Sequence, residues 1–140
     1  MALSADKLRS FAGTPLGVPM PVEGAARIYH GSLIVASASG HAQPATDTAG
    51  RRVLGVATTA VNNTDGADGD ETVVGHRGHL EWFASTGLTQ AQVGANVFAV
   101  DDETVSDGAA TTNSVAVGTL LALDGSSVLV HVGVFSSVDA

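Results

Sequence analysis

The chain has 140 residues, 6 Lys and Arg against 14 Asp and Glu, a formal net charge of −8 and no cysteine. That length suits one domain, and the lack of cysteine excludes disulfides, thiolate catalysis and cysteine-ligated zinc. Charged residues make up 14% against roughly 25% in an average soluble protein, and mean hydropathy is +0.25, so either the surface is small and neutral or a partner covers part of it.

Residues 1–24 read as an arm. Leu3, Leu8 and Phe11 are its apolar contacts, and Ser4 to Phe11 could form one or two helical turns. Pro15, Pro19 and Pro21 then discourage helix or central strand. An extended arm and an unstructured tail both fit this composition. On either reading, removing residues 1–20 leaves the domain folded. Met1 to Ser10 has no apolar signal core, and no apolar run approaches the ~20 residues a membrane helix needs. The expected place of work is where the protein is made, or a particle assembled there.

Residues 25–140 read as one β-domain. Arg27–His30 and Ser32–Ser37 are β-rich, and Ser39-Gly40 is a turn. Val53–Val61 is a strand with Gly55 inside it, the mark of a bulge or a close backbone approach. Asn62–Asp70 is a loop of turn formers. Glu71–Ala84 is a strand pair or a bent strand broken near Gly75–Gly78. Within it, alternation puts Leu80, Trp82 and Ala84 on one face and Glu81 and Phe83 on the other. Trp82 is assigned to the core, which leaves Phe83 as a contact.

Thr89 and Gln92 form a capping box for a single helical turn that exits at Gly94. Asn96–Val100 and Glu103–Val105 flank a hairpin tip at Asp101-Asp102. Ser114–Leu123 and Ser126–Phe135 are joined through Asp124-Gly125, which favours a type I′ turn. Alternation puts Val115, Val117, Thr119, Leu121 and Leu123 on one face, matched by Val128, Val130, Val132 and Val134. The opposite faces carry Leu120 and Ala122, then Leu129, His131 and Phe135. Both faces are partly apolar, as in a strand covered on its outer side. The expected fold is all-β: a jelly roll, β-sandwich or barrel of short antiparallel strands with one single-turn helix.

The order of these features resembles the small capsid cement (decoration) proteins of tailed bacteriophages. The series runs Gly31-Ser32-Leu33-Ile34-Val35, Ala42-Gln43-Pro44-Ala45, Asp47-Thr48-Ala49-Gly50 and Val53-Leu54-Gly55-Val56-Ala57. It continues through the Asn62–Asp70 loop, Thr89–Gly94, Val97–Val105, Val115–Leu121 and the final Val-rich strand. It covers residues 25–134, so the arm lies outside it. The resemblance implies a β-barrel or jelly roll on the outer surface of an icosahedral shell, assembled in the host bacterial cytoplasm. The implied partners are the major capsid protein and further copies of the chain, as dimers or trimers. It implies no catalytic residues and no cofactor.

Other chemistry is weakly supported. Arg51-Arg52 is the sole basic pair, so no basic cluster for phosphates is expected, and direct nucleic-acid binding is not expected either. His76 and His79 are three apart, which on a continuous strand puts them on opposite faces unless Gly78 bends the chain. With His30, His41 and His131 scattered, no metal site is assigned. The Asp65–Glu71 carboxylates suggest calcium, but a Gly-Asp turn explains them. Asp101, Asp102 and Glu103 suit a solvated hairpin tip better than acid–base work. No Gly-x-Ser-x-Gly elbow and no phosphate-binding glycine loop occurs, so no enzyme is assigned. The candidate interface residues are Leu3, Leu8, Phe11, Phe83, Leu129, His131 and Phe135. Two competing readings are a glycan- or host-recognition module on a virion surface and a small metal-dependent enzyme.

Overall fold

The structure is a computed structural model describing residues 17–135, so Leu3, Leu8 and Phe11 lie outside the described residues. Among the described residues twelve strands occur in chain order: β1 (Val18–Pro21), β2 (Arg27–Ile28), β3 (Leu33–Ala36), β4 (Ala42–Pro44), β5 (Arg52–Ala57), β6 (Val61–Asn62), β7 (Thr72–His76), β8 (Leu80–Thr86), β9 (Asn96–Ala99), β10 (Thr104–Ser106), β11 (Ala116–Asp124) and β12 (Ser127–Val132). The protein is all-β. Its helical pieces among the described residues are 3₁₀ turns at Gln90–Gln92 and Gly108–Ala110. Thr89 and Gln92 close the first as a capping box, and the Asp107 carboxylate accepts from Ala110 N at the second, which the sequence did not announce.

The strands divide into a five-stranded sheet ordered β1-β7-β5-β3-β4, a closed barrel ordered β10-β8-β12-β11-β9, and the small pair β2-β6. Pairing is antiparallel except that β10 runs parallel to β8. Leu33, Val35, Val53 and Val56 of the sheet join Phe83, Val97, Val105, Leu120, Val128 and Val130 of the barrel in one core. Ile34, Ala57 and Val73 face the other way, into a second core with Met20, Val22 and Ile28. β3 is therefore buried on both faces, which accounts for its unbroken Leu-Ile-Val run.

Bulges set which residues point inward. Between β3 and β5 the register jumps from Ile34↔Gly55 to Val35↔Val53, leaving Leu54 as the extra residue. Val53 and Val56 can then share the core despite their odd spacing. Gly55 has φ 151°, and a Cβ there would overlap the His76 carbonyl, so the close approach expected from sequence is real. β11 carries two shifts, at Ala116/Gly118 and at Leu120/Ala122. Strict alternation fails across them. Leu120 is buried with Val115 and Val117, whereas Leu121, expected to share their face, is exposed.

Three further expectations are corrected. The arm does not extend to residue 24, because Val18–Pro21 pairs with Thr72–Gly75. Pro19 and Pro21 fit there because β1 is an edge strand, where a missing donor costs no ladder bond. Met20 lies between them in the second core, so removing residues 1–20 would cut into the fold. The final hairpin turns at Gly125-Ser126, with Asp124 paired to Ser127. Of its two central residues only Gly125 has positive φ, the type II′ pattern rather than I′. Finally, Val53–Val61 is two strands, with β6 pairing to β2.

Candidate functional site: the outward face of the barrel

β8, β12 and β11 lie side by side in the barrel. Register aligns Leu80 with His131 and Trp82 with Leu129, then His131 with Thr119 and Leu129 with Ala122. Residues opposite one another share a face, and here that face points away from the core. Leu80 is 52% exposed and Trp82 51%, while Phe83 is only 4% exposed. The expected alternation is correct but its direction is reversed: Phe83 fills the barrel and Trp82 stands outside. Periodicity cannot say which of two aromatic-bearing faces is inner. The neighbours decide it, because Phe83 pairs with Val128 while Trp82 pairs with Leu129.

Of the candidate interface residues, Leu129 and His131 lie half-buried on this face. The His131 Nε2–H donates to the Gly78 carbonyl at 3.1 Å. Phe135 is exposed beyond the end of β12. Phe83 is withdrawn as a contact, because it is core. Leu80, Trp82 and Leu121 take its place on the outside.

At one end of the face lies an open groove of about 670 Å³, lined by Tyr29, His30, Trp82, Asp102, Glu103 and Ser127 among others. The Arg27 guanidinium lies 4.9 Å from the Tyr29 ring centre, holding one face of the ring and leaving Tyr29 57% exposed. The Ser32 hydroxyl donates to Asp102 at 2.8 Å, and Leu33 N donates to the Asp102 carbonyl. Asp101 accepts from Glu103 N and Thr104 N, so these tip carboxylates shape the turn.

The other candidate sites resolve into structure. In the 65–71 loop Asp68 accepts from Gly24 N and Asp70 from Ala67 N. Beneath it, buried Asn63 donates to the carbonyls of Val22, Glu23 and Ala67. The Gly78 bend brings the His76 and His79 rings to 5.9 Å, edge to face, and His79 Nε2 lies 3.0 Å from Glu81. Among the described residues no group of three or more His, Cys, Asp or Glu is placed to hold a metal. Asp47 clamps the loop before β11, accepting from Thr112 N at 2.7 Å and Asn113 N at 2.8 Å. The Thr112 amide first, then Asn113, holds its carboxyl below the ordinary value near 3.8.

Neither edge of the five-stranded sheet is open for strand addition. β1 carries Pro19 and Pro21, β4 carries Pro44, and Val22 bridges to Ala42 so that the two edges approach one another. Edge pairing with a neighbouring chain is thereby disfavoured, and the faces remain. No helix among the described residues is long and apolar enough to cross a membrane. Comparison of the chain with protein families, curated proteins and solved structures finds no match.

Proposed function

We propose that this chain is a non-enzymatic capsid cement protein, bound to the outer surface of an icosahedral phage shell and clamping neighbouring capsomers against the pressure of packaged DNA. Its partners on this reading are the major capsid protein and a second copy of itself. The carrying observation is the outward β8–β12–β11 face, where Leu80, Trp82, Leu121 and half-buried Leu129 are gathered on a chain with 14% charged residues. Contiguous exposed apolar surface of this kind marks a contact, and Trp is over-represented among residues that dominate interfaces. Copies held on one shell act multivalently, so a modest contact becomes effectively permanent. A barrel packed on a curled sheet suits the jelly-roll or sandwich class expected for such proteins. The test is co-sedimentation of the purified protein with shells lacking it. Saturable binding, weakened in Trp82→Ala, is expected, and no binding at any concentration would remove the proposal.

One observation favours a second reading, a glycan-recognition module. Tyr29 and Trp82, both more than half exposed, line the same groove with Asp102 and Glu103. Aromatic faces beside carboxylate acceptors suit a neutral sugar. Glycan-array binding by the isolated protein, with no affinity for shells, would favour it.

A further inference from the structure

At the opposite end of the barrel face the fold gathers positive charge. Arg51, Arg52 and Arg77 line one pocket of about 270 Å³ together with Val53, Ala116 and Phe135. These are three of the chain's 6 cationic side chains, in a protein of net charge −8. Arg51-Arg52 is visible as a pair in the sequence. Arg77, 25 positions after Arg52, joins it because β7 pairs with β5 and the chain then turns back at Gly78.

Two of the three guanidinium groups donate directly to neutral partners. Arg77 Nη1 donates to the Val53 carbonyl at 3.2 Å. Arg51 Nε donates at 2.8 Å to the Gln43 side-chain oxygen, in the amide orientation in which the Gln43 nitrogen donates to the Glu23 carboxylate. The Arg77 stem crosses Gly133, where a Cβ would come within 2.6 Å of its Cγ. Among the described residues the carboxylate contacts within 4.0 Å involve His41 and His79, and none involves an arginine. Three arginines thus line one pocket with no carboxylate of the described residues within 4.0 Å of them, beside the exposed ring of Phe135.

We infer that this pocket is a carboxylate-binding site for an acidic segment of the shell protein, an Asp- or Glu-bearing stretch with an adjacent apolar side chain. This rests on the cement reading for the identity of the partner. Arginine forks match carboxylates bidentately, and Phe135, Ala116 and Val53 supply an apolar wall that a bare inorganic anion would not use. A nucleic acid fits less well, since three arginines on an acidic chain neutralise few phosphates while the whole molecule repels a polyanion. The pocket borders the apolar face, because Arg77 precedes Gly78, whose carbonyl holds His131 on that face.

The experiment compares the wild-type protein with Arg52→Glu and with an Arg51→Gln/Arg52→Gln/Arg77→Gln variant. Each is titrated with an eight-residue peptide of Asp, Glu and one Phe, with its Asn/Gln counterpart, with a DNA oligonucleotide, and with shells lacking the protein. Arg52→Glu guards against a folding defect, since Arg52 is exposed and bonds within the fold through its backbone, in the ladder with Ala36. The wild type is expected to bind the acidic peptide at least ~10-fold tighter than the amide peptide, with affinity falling as salt rises. Both variants are expected to lose that preference and to attach to shells at least ~10-fold more weakly. Acidic-peptide binding without shell attachment would keep the pocket and remove the cement reading. Shell attachment unchanged in both variants would overturn the inference and leave the cement reading standing. It would also be overturned by tighter binding of the oligonucleotide than of the peptide, or by variants that lose only self-association.

Discussion

Replacing Phe83 with Ala removes a ring that is 4% exposed and packed among Val97, Val128 and Val130 in the shared core. Large-to-small changes of this type cost about 3–5 kcal/mol, the transfer of the ring plus the cavity left behind. For a chain of this size that lowers Tm by about 10–15 °C, a large part of the ~5–15 kcal/mol total stability of a typical domain. The neighbouring change, Trp82→Ala, removes a ring already half in water and should cost about 1 kcal/mol or less. Its effect should fall on binding instead: an interface Trp contributes ~2 kcal/mol or more, which is roughly a 30-fold loss of shell affinity. Calorimetric melts of both variants beside shell co-sedimentation read the two effects separately. A larger Tm loss for Trp82→Ala than for Phe83→Ala would refute the assignment of inner and outer faces.

Three further outcomes are expected. Gly118→Ala should destabilise by ~2 kcal/mol or more, because a Cβ at Gly118 would overlap the His131 carbonyl across the hairpin; denaturant unfolding measures it. Asp47 has its folded pKa below the unfolded one, so the stability it contributes is complete above the ordinary value near 3.8 and is lost as pH falls through the folded value. Asp47→Asn should flatten that acid-limb dependence, and an NMR titration of Asp47 with a midpoint at or above 3.8 would contradict the clamp. Deletion through Val22 should abolish cooperative unfolding, because it removes β1 with buried Met20 and Val22, whereas deletion of residues 1–16 removes neither; melting curves distinguish the two.

What was legible in the sequence was local. Gly55 inside an apolar run announced a close backbone approach, the Thr89–Gln92 box announced a turn, and the break near Gly78 separated β7 from β8. The parts that were not legible depend on partners distant in sequence. Bulges in β5 and β11 shift the alternation, so strict period-two reading grouped Leu121 with Val117 and set Leu120 on the opposite face, whereas Val117 and Leu120 share the core. Pro19 and Pro21 discouraged a central strand, and the edge position that admits them is known only once β7 lies beside one side of β1 alone. For the outward face, the two-sided apolar character of the last hairpin singled out Leu129 and His131, which the structure places there half-buried. Trp82 was assigned to the core because a lone Trp is ordinarily highly buried, whereas it stands half exposed. The arginine pocket was half visible, as a pair whose third member arrives by folding.

The central claim is adhesion through the β8–β12–β11 face. Its most direct test is an electron-microscopy reconstruction of shells incubated with the purified protein. The account predicts ordered density on the outer surface across capsomer junctions, with Trp82 and Leu80 turned toward the shell or a second copy. Shells with no added density at saturating protein, or density in which that face points into solvent, would contradict it.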